Sequence, residues 1–146
     1  MAISFYFETN TKLTNRRLLK RFLKDMLESE KGNVGNIAFI FCSDSFLLDI
    51  NIRHLNHNYY TDIITFEFDS GKPPMKDGEI YISVERVLDN SKKFITTFEE
   101  ELSRVIFHGV LHLCGYKDKK PTEKSLMRKR EDFYIKKYKK YVPRET

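Results

Sequence analysis

The chain has 146 residues, 40% hydrophobic and 32% charged, the make-up of a folded, water-soluble domain and not of a disordered or membrane-embedded polypeptide. Two cysteines, Cys42 and Cys114, are too few for a disulfide framework and read as free thiols in a reducing compartment. The net charge of +5 leans toward an anionic partner, but its two concentrations, Lys12 to Lys24 and Arg128 to Lys140, fit two solvated helix faces equally well.

Residues 3–8 alternate as a strand, and the first residues lack the basic and apolar regions of a signal peptide. No apolar run approaches the roughly 20 residues that span a membrane, so a cytoplasmic protein is expected. Thr14 is the expected N-cap of a helix whose apolar face is Leu18, Leu19, Phe22, Leu23, Met26 and Leu27. A turn at Gly32–Gly35 leads to a short buried strand at 37–42. Ser43 and Asp44 cap a second helix carrying Phe46, Leu47, Ile50 and Leu55. Residues 61–68, rich in β-branched and aromatic side chains, form the third strand.

A loop from Gly71 to Gly78, rich in glycine and proline, joins it to a fourth strand at 79–83, which runs into a helix through Leu88. Thr97-Phe-Glu-Glu100 has the form of a capping box opening the next helix, whose apolar face is Leu102, Val105, Ile106, Gly109 and Leu113. Pro121 suits the first turn of a last helix, with Leu126, Met127, Phe133, Tyr134 and Tyr138 facing inward. Four strands with about five helices imply one α+β domain over 1–146, a mixed sheet packed against helices.

The chemistry concentrates in His108-Gly-Val-Leu-His112-Leu-Cys-Gly115-Tyr-Lys-Asp118. Histidines four apart on a helix present two imidazoles on one face, one turn apart, where both can hold one metal ion. Gly115 lets the backbone leave the helix sharply, and Asp118 can return as a third ligand. Three protein ligands leave a coordination position for water, as catalytic sites do. The bland alternative is a half-buried helix face with satisfied imidazoles; Gly115 and Asp118 at compatible spacing favour the metal. Imidazole and carboxylate donors suit zinc, nickel, manganese or iron. In peptidases with two helical histidines a glutamate general base follows the first, and here that position is Gly109. Glu101 shares the histidine face and is either an acceptor for a ligand imidazole or an exposed first-turn acid.

These residues resemble the bacterial YbeY family, whose pattern is His-Gly-x-Leu-His-Leu-x-Gly-Tyr-Asp-His. A second block, Ile50-Asn51 followed by Thr61-Asp62-Ile63-Ile64-Thr65-Phe66, resembles that family's Leu-Asn and Thr-Asp-Val-Leu-Ser-Phe. Gly78-Glu-Ile-Tyr-Ile-Ser83 resembles its Gly-Asp-Ile-x-Ile-Ser strand. The resemblance implies a single-strand-specific, metal-dependent endoribonuclease in 16S rRNA 3′-end maturation and ribosome quality control, partnered by the small ribosomal subunit. It implies His108, His112 and Asp118 as catalytic metal ligands, zinc first with nickel or manganese possible, and Thr61, Asp62 and Thr65 lining the substrate cleft.

Two departures stand out. The third ligand, histidine in the family, falls on Asp118, which takes a divalent site from a formal +2 to +1 and implies a less acidic bound water. The arginine that faces phosphate in the family falls on Leu55, leaving Arg53, His54 and His57 as nearby substitutes. Two rivals follow: a metal hydrolase with a non-RNA substrate, and an rRNA-binding protein with a structural or weakly catalytic site.

Overall fold

The structure, a computed structural model, describes residues 2–142. Its elements are β1 (Ile3–Phe7), α1 (Arg16–Ser29), β2 (Val34–Cys42), α2 (Asp44–Leu55), β3 (Ile63–Asp69), β4 (Lys76–Ser83), α3 (Val84–Lys93), α4 (Phe98–Leu113) and α5 (Pro121–Tyr141). The four strands make one sheet in the order β1-β2-β4-β3; β1, β2 and β4 run parallel and β3 antiparallel to β4. This is the expected α+β architecture with its mixed sheet. No helix among the described residues is long and apolar enough to cross a membrane.

Strand periodicity divides the sheet into two faces. On one, Ile37, Phe39 and Phe41 of β2 and Ile80 and Ile82 of β4 are buried with Leu23 of α1, Ile106 and Val110 of α4 and Tyr134 of α5. Each such side chain contributes roughly 1.5–3 kcal/mol when fully buried, so this face dominates the fold's stability. The other face holds a smaller cluster, Cys42, Leu47 and Ile64, covered by α2. The β3–β4 register pairs Ile63 with Ile82 and Thr65 with Ile80. Cross-strand partners share a face, so Ile63 and Thr65 look toward α4 while Ile64 looks toward α2. Gly109 lets α4 come close to that face: a Cβ there would lie 3.0 Å from side-chain carbons of Ile63 and Ile80.

Several local expectations need correction. The N-cap of α1 is Asn15, in the left-handed region at φ 56 and without a side-chain cap, in place of Thr14. Only half of the expected capping box forms: Glu100 N donates to Thr97 Oγ1 at 3.1 Å, but the Glu100 carboxylate turns to Thr96 Oγ1 at 2.7 Å and to Lys139. Met127 and Tyr134 of α5 are buried as expected, whereas Leu126 and Phe133 are exposed, as are Phe46 and Leu55 of α2. Phe133 instead lies under the Arg130 guanidinium, 4.7 Å from its ring centroid. β3 begins at Ile63, which leaves Thr61 and Asp62 in the segment entering the strand.

Candidate metal centre

α4 places His108 and His112 one turn apart on a face beside its apolar stripe, with ring centroids 4.6 Å apart. The helix closes at Gly115, whose φ of +101 suits glycine; Gly115 N donates to His112 O and Tyr116 N to Leu111 O, each at 3.0 Å. The chain then doubles back and brings Asp118 over the imidazoles. Asp118 Oδ2 lies 3.2 Å from His108 Nε2 and 3.3 Å from His112 Nε2. Donor atoms on all three residues fall within 4.8 Å of one another, a grouping able to hold a metal ion. Ligand bonds of about 2.0–2.2 Å at tetrahedral angles separate donors by about 3.3–3.5 Å, so the two measured separations suit a shared divalent ion.

The remaining ring nitrogens support that fit. His108 Nδ1 stands 2.6 Å from Glu131 Oε2, and His112 Nδ1 stands 2.9 Å from the Tyr116 carbonyl oxygen. Both oxygens accept, which assigns the protons to Nδ1 and leaves the Nε2 lone pairs facing Asp118. Glu131, only 5% exposed, accepts from Arg104 on its other oxygen at 3.0 Å, and Arg104 also donates to Asp132 at 2.8 Å. Behind Tyr116 a second network fixes the turn. Glu30 accepts from the Tyr116 hydroxyl at 2.7 Å, from Arg130 at 2.6 Å and from the Tyr134 hydroxyl. Each imidazole is therefore steered by groups from another helix or turn.

The site opens into a cleft of about 730 Å³ lined by β3, α4, α5, the segment entering β3, and the end of α3 with the turn that follows it. Thr61, Asp62 and Thr65 line it with the three candidate ligands, as does Glu101. Burial pushes the Asp62 carboxyl up, with His108 pulling only partly against it, and burial likewise pushes Glu101 up despite Arg104. Burial disfavours the His108 imidazolium, but the hydrogen bond and charge of Glu131, with Asp118 and Asp62 adding, outweigh it and raise the pKa.

The family model for "Endoribonuclease YbeY" matches residues 4–139. The chain belongs to the YbeY endoribonuclease family. It is 46% identical over 133 residues to the "Endoribonuclease YbeY" of Karelsulcia muelleri, covering 91% of this chain and 93% of that one. Identity to the Flavobacterium johnsoniae "Endoribonuclease YbeY" is 47% over 130 residues, covering 89% and 92%. A solution structure of a Thermotoga maritima protein superposes with a TM-score of 0.57 at 26% identity, covering 92% of this chain and 87% of that one.

Within this YbeY domain the structure brings His108, His112, Asp118, Thr61, Asp62 and Thr65 to one cleft. Arg53 and His57 lie outside its lining. Arg53 is exposed on α2 and pairs with Asp49 one turn back at 3.1 Å, while the His57 ring stacks on Tyr59. The cleft's cations are Arg104, Lys124 and Arg128, from α4 and α5. Sequence reasoning considered Glu101 as the imidazole acceptor, but the acceptor is Glu131. The available signal was a glutamate within the buried stripe Met127, Glu131, Tyr134 and Ile135, where an acid needs a partner.

Proposed function

We propose that this chain is a metal-dependent endoribonuclease cutting single-stranded RNA, with His108, His112 and Asp118 holding one divalent ion, zinc before nickel or manganese. The observation that carries the reading is the convergence of these three donors at the floor of a cleft in a YbeY-family domain. When bound, the ion supplies an acidified water and draws charge from the scissile phosphate. The protein's own groups prepare this. Glu131 and the Tyr116 carbonyl hold the imidazoles in one tautomer, and Arg104 holds Glu131. Because Arg104 already serves two carboxylates, phosphate attraction falls to Lys124 and Arg128, which are exposed, line the cleft and form no ion pair among the described residues. Asp62 and Glu101 bring to the cleft carboxyl groups that burial pushes up in the metal-free protein, a shift toward the protonated form that a general acid uses.

The physiological substrate in this reading is rRNA at the small ribosomal subunit, processed in the cytoplasm. Metal analysis of the purified protein, paired with cleavage of a single-stranded RNA by wild type and His112→Ala, tests it. Stoichiometric metal and cleavage should disappear together in the variant; cleavage persisting without metal sinks the proposal. Leu55, at the position of the family's arginine, favours a second reading, an rRNA-binding protein with a silent site. That reading requires wild type to bind RNA without cutting it, and His108→Ala to bind as tightly.

A further inference from the structure

The turn joining α3 to α4 carries a feature that the fold does not require. Thr96 N donates to Ser91 O at 2.9 Å and Ile95 N to Lys92 O at 3.4 Å, closing α3 in a Schellman arrangement. The residue in the left-handed position of that closure is Ile95, at φ 54. Glycine is the residue suited to this position, and a β-branched side chain there is a backbone outlier. No burial offsets the strain, since Ile95 is 94% exposed and the neighbouring Phe94 57% exposed. Strain kept without packing in return points to use by a ligand.

The surroundings identify the ligand's chemistry. Phe94 lines the same cleft as the three metal-ligand candidates, together with Asn90 of α3 and the cations Lys124 and Arg128 of α5. Lys93 adds a third cation, its Nζ 5.7 Å from the Phe94 ring centroid. An exposed aromatic ring among cations beside a hydrolytic centre matches a nucleotide, with the π-face for the base and the cations for phosphates. A protein-docking surface would instead be a contiguous apolar patch with few charges at its centre.

We propose that Phe94 is a stacking platform for one unpaired nucleobase of RNA in the cleft, with Ile95 extending the apolar surface under the same nucleotide. The proposal rests on the endoribonuclease reading and adds a source of single-strand preference, because bases within a duplex have no free face to offer. Phe94 is thus a specificity residue, and the metal centre does not depend on it.

The test is binding and steady-state cleavage of a short single-stranded RNA by metal-loaded wild type, Phe94→Ala, Phe94→Trp and Ile95→Gly, with a duplex of the same sequence as control. Phe94→Ala should weaken single-strand binding roughly 5- to 100-fold, while duplex binding and metal content stay unchanged. Phe94→Trp should bind within about twofold of wild type, since a larger ring stacks as well. An RNA scanned with abasic residues should show one position at which wild type and Phe94→Ala bind alike. Ile95→Gly should raise the thermal midpoint by roughly 2–4 °C, through relief of strain, and still weaken single-strand binding. Equal affinity of wild type and Phe94→Ala for single-stranded RNA overturns the platform and leaves the endoribonuclease reading intact. Loss shared equally by single strand and duplex, or accompanied by lost metal, overturns it in favour of a structural role. Wild type that neither binds nor cuts single-stranded RNA defeats the underlying reading, and the platform falls with it.

Discussion

Glu131→Gln isolates the contact on which the candidate metal centre's geometry depends. The native carboxylate is faced by two donors, His108 Nδ1 at 2.6 Å and Arg104 Nη1 at 3.0 Å, one on each oxygen. A glutamine fills the same volume but offers one acceptor oxygen and one donor amide. If the oxygen stays with Arg104, the His108 Nδ1–H meets a donor, and the ring is driven toward the tautomer whose Nε2 cannot ligate. If it stays with His108, Arg104 keeps only Asp132, and the imidazole still loses the charge that raised its basicity. Either way metal affinity should fall about 10- to 100-fold, equivalent to about 1.4–2.7 kcal/mol. The folding cost should sit below the roughly 3–5 kcal/mol of a broken buried pair, because Arg104 retains the half-exposed Asp132. Competition of Zn²⁺ between the protein and a chromophoric chelator gives the affinity, and thermal melts of the metal-free protein give the stability. Glu101→Gln is the control: it removes a buried acid from the same cleft without touching either imidazole hydrogen bond, so its metal affinity should stay within about threefold of wild type. An unchanged affinity in Glu131→Gln, or equal losses in the two variants, would refute the assignment of Glu131.

The same packing sets three further expected outcomes. Burial raises the Glu30 pKa, but its hydrogen bonds from Tyr134, Arg130 and Tyr116 outweigh this and hold it below the ordinary 4.5. A lowered folded-state pKa means the contribution is fully present above pH 4.5 and fades as pH falls through the folded value, so wild type should lose stability more steeply below pH 4.5 than Glu30→Gln in acid urea titrations. In Gly78→Ala the new Cβ would lie 2.6 Å from Leu113 Cδ1, at the end of the histidine helix, and should cost about 1–3 kcal/mol in chemical denaturation. Arg53→Ala and His57→Ala should each leave RNA cleavage within about twofold and stability within roughly 0.5 kcal/mol, since both side chains are exposed and outside the cleft lining.

Much of the site was legible because its determinants are local. Helical periodicity alone puts His108 and His112 on one face, and a glycine able to adopt positive φ returns the chain at Gly115. Asp118, three residues past that glycine, is then close enough along the chain to reach the imidazoles. The apolar stripe of α4 and the short apolar strand at 37–42 were likewise readable, and both are largely buried in the structure. The inward face of α5 was less so. Leu126 and Phe133 are apolar yet exposed, because exposure depends on how α5 crosses its neighbours, and apolar residues commonly remain on surfaces.

Spacing along single elements specified a turn of helix able to ligate a metal, its glycine exit and the strands beside it. What surrounds them depends on how the elements pack. Glu131, 23 residues beyond His108, becomes its acceptor because α5 packs against α4. Glu30, 86 residues before Tyr116, holds the turn that orients His112. The β3–β4 register turns Thr65 toward the cleft and Ile64 away from it, an outcome that one residue of slip would reverse. The histidine spacing is a property of one helix, whereas acceptors, cleft walls and cleft cations are set by which faces meet when the elements pack.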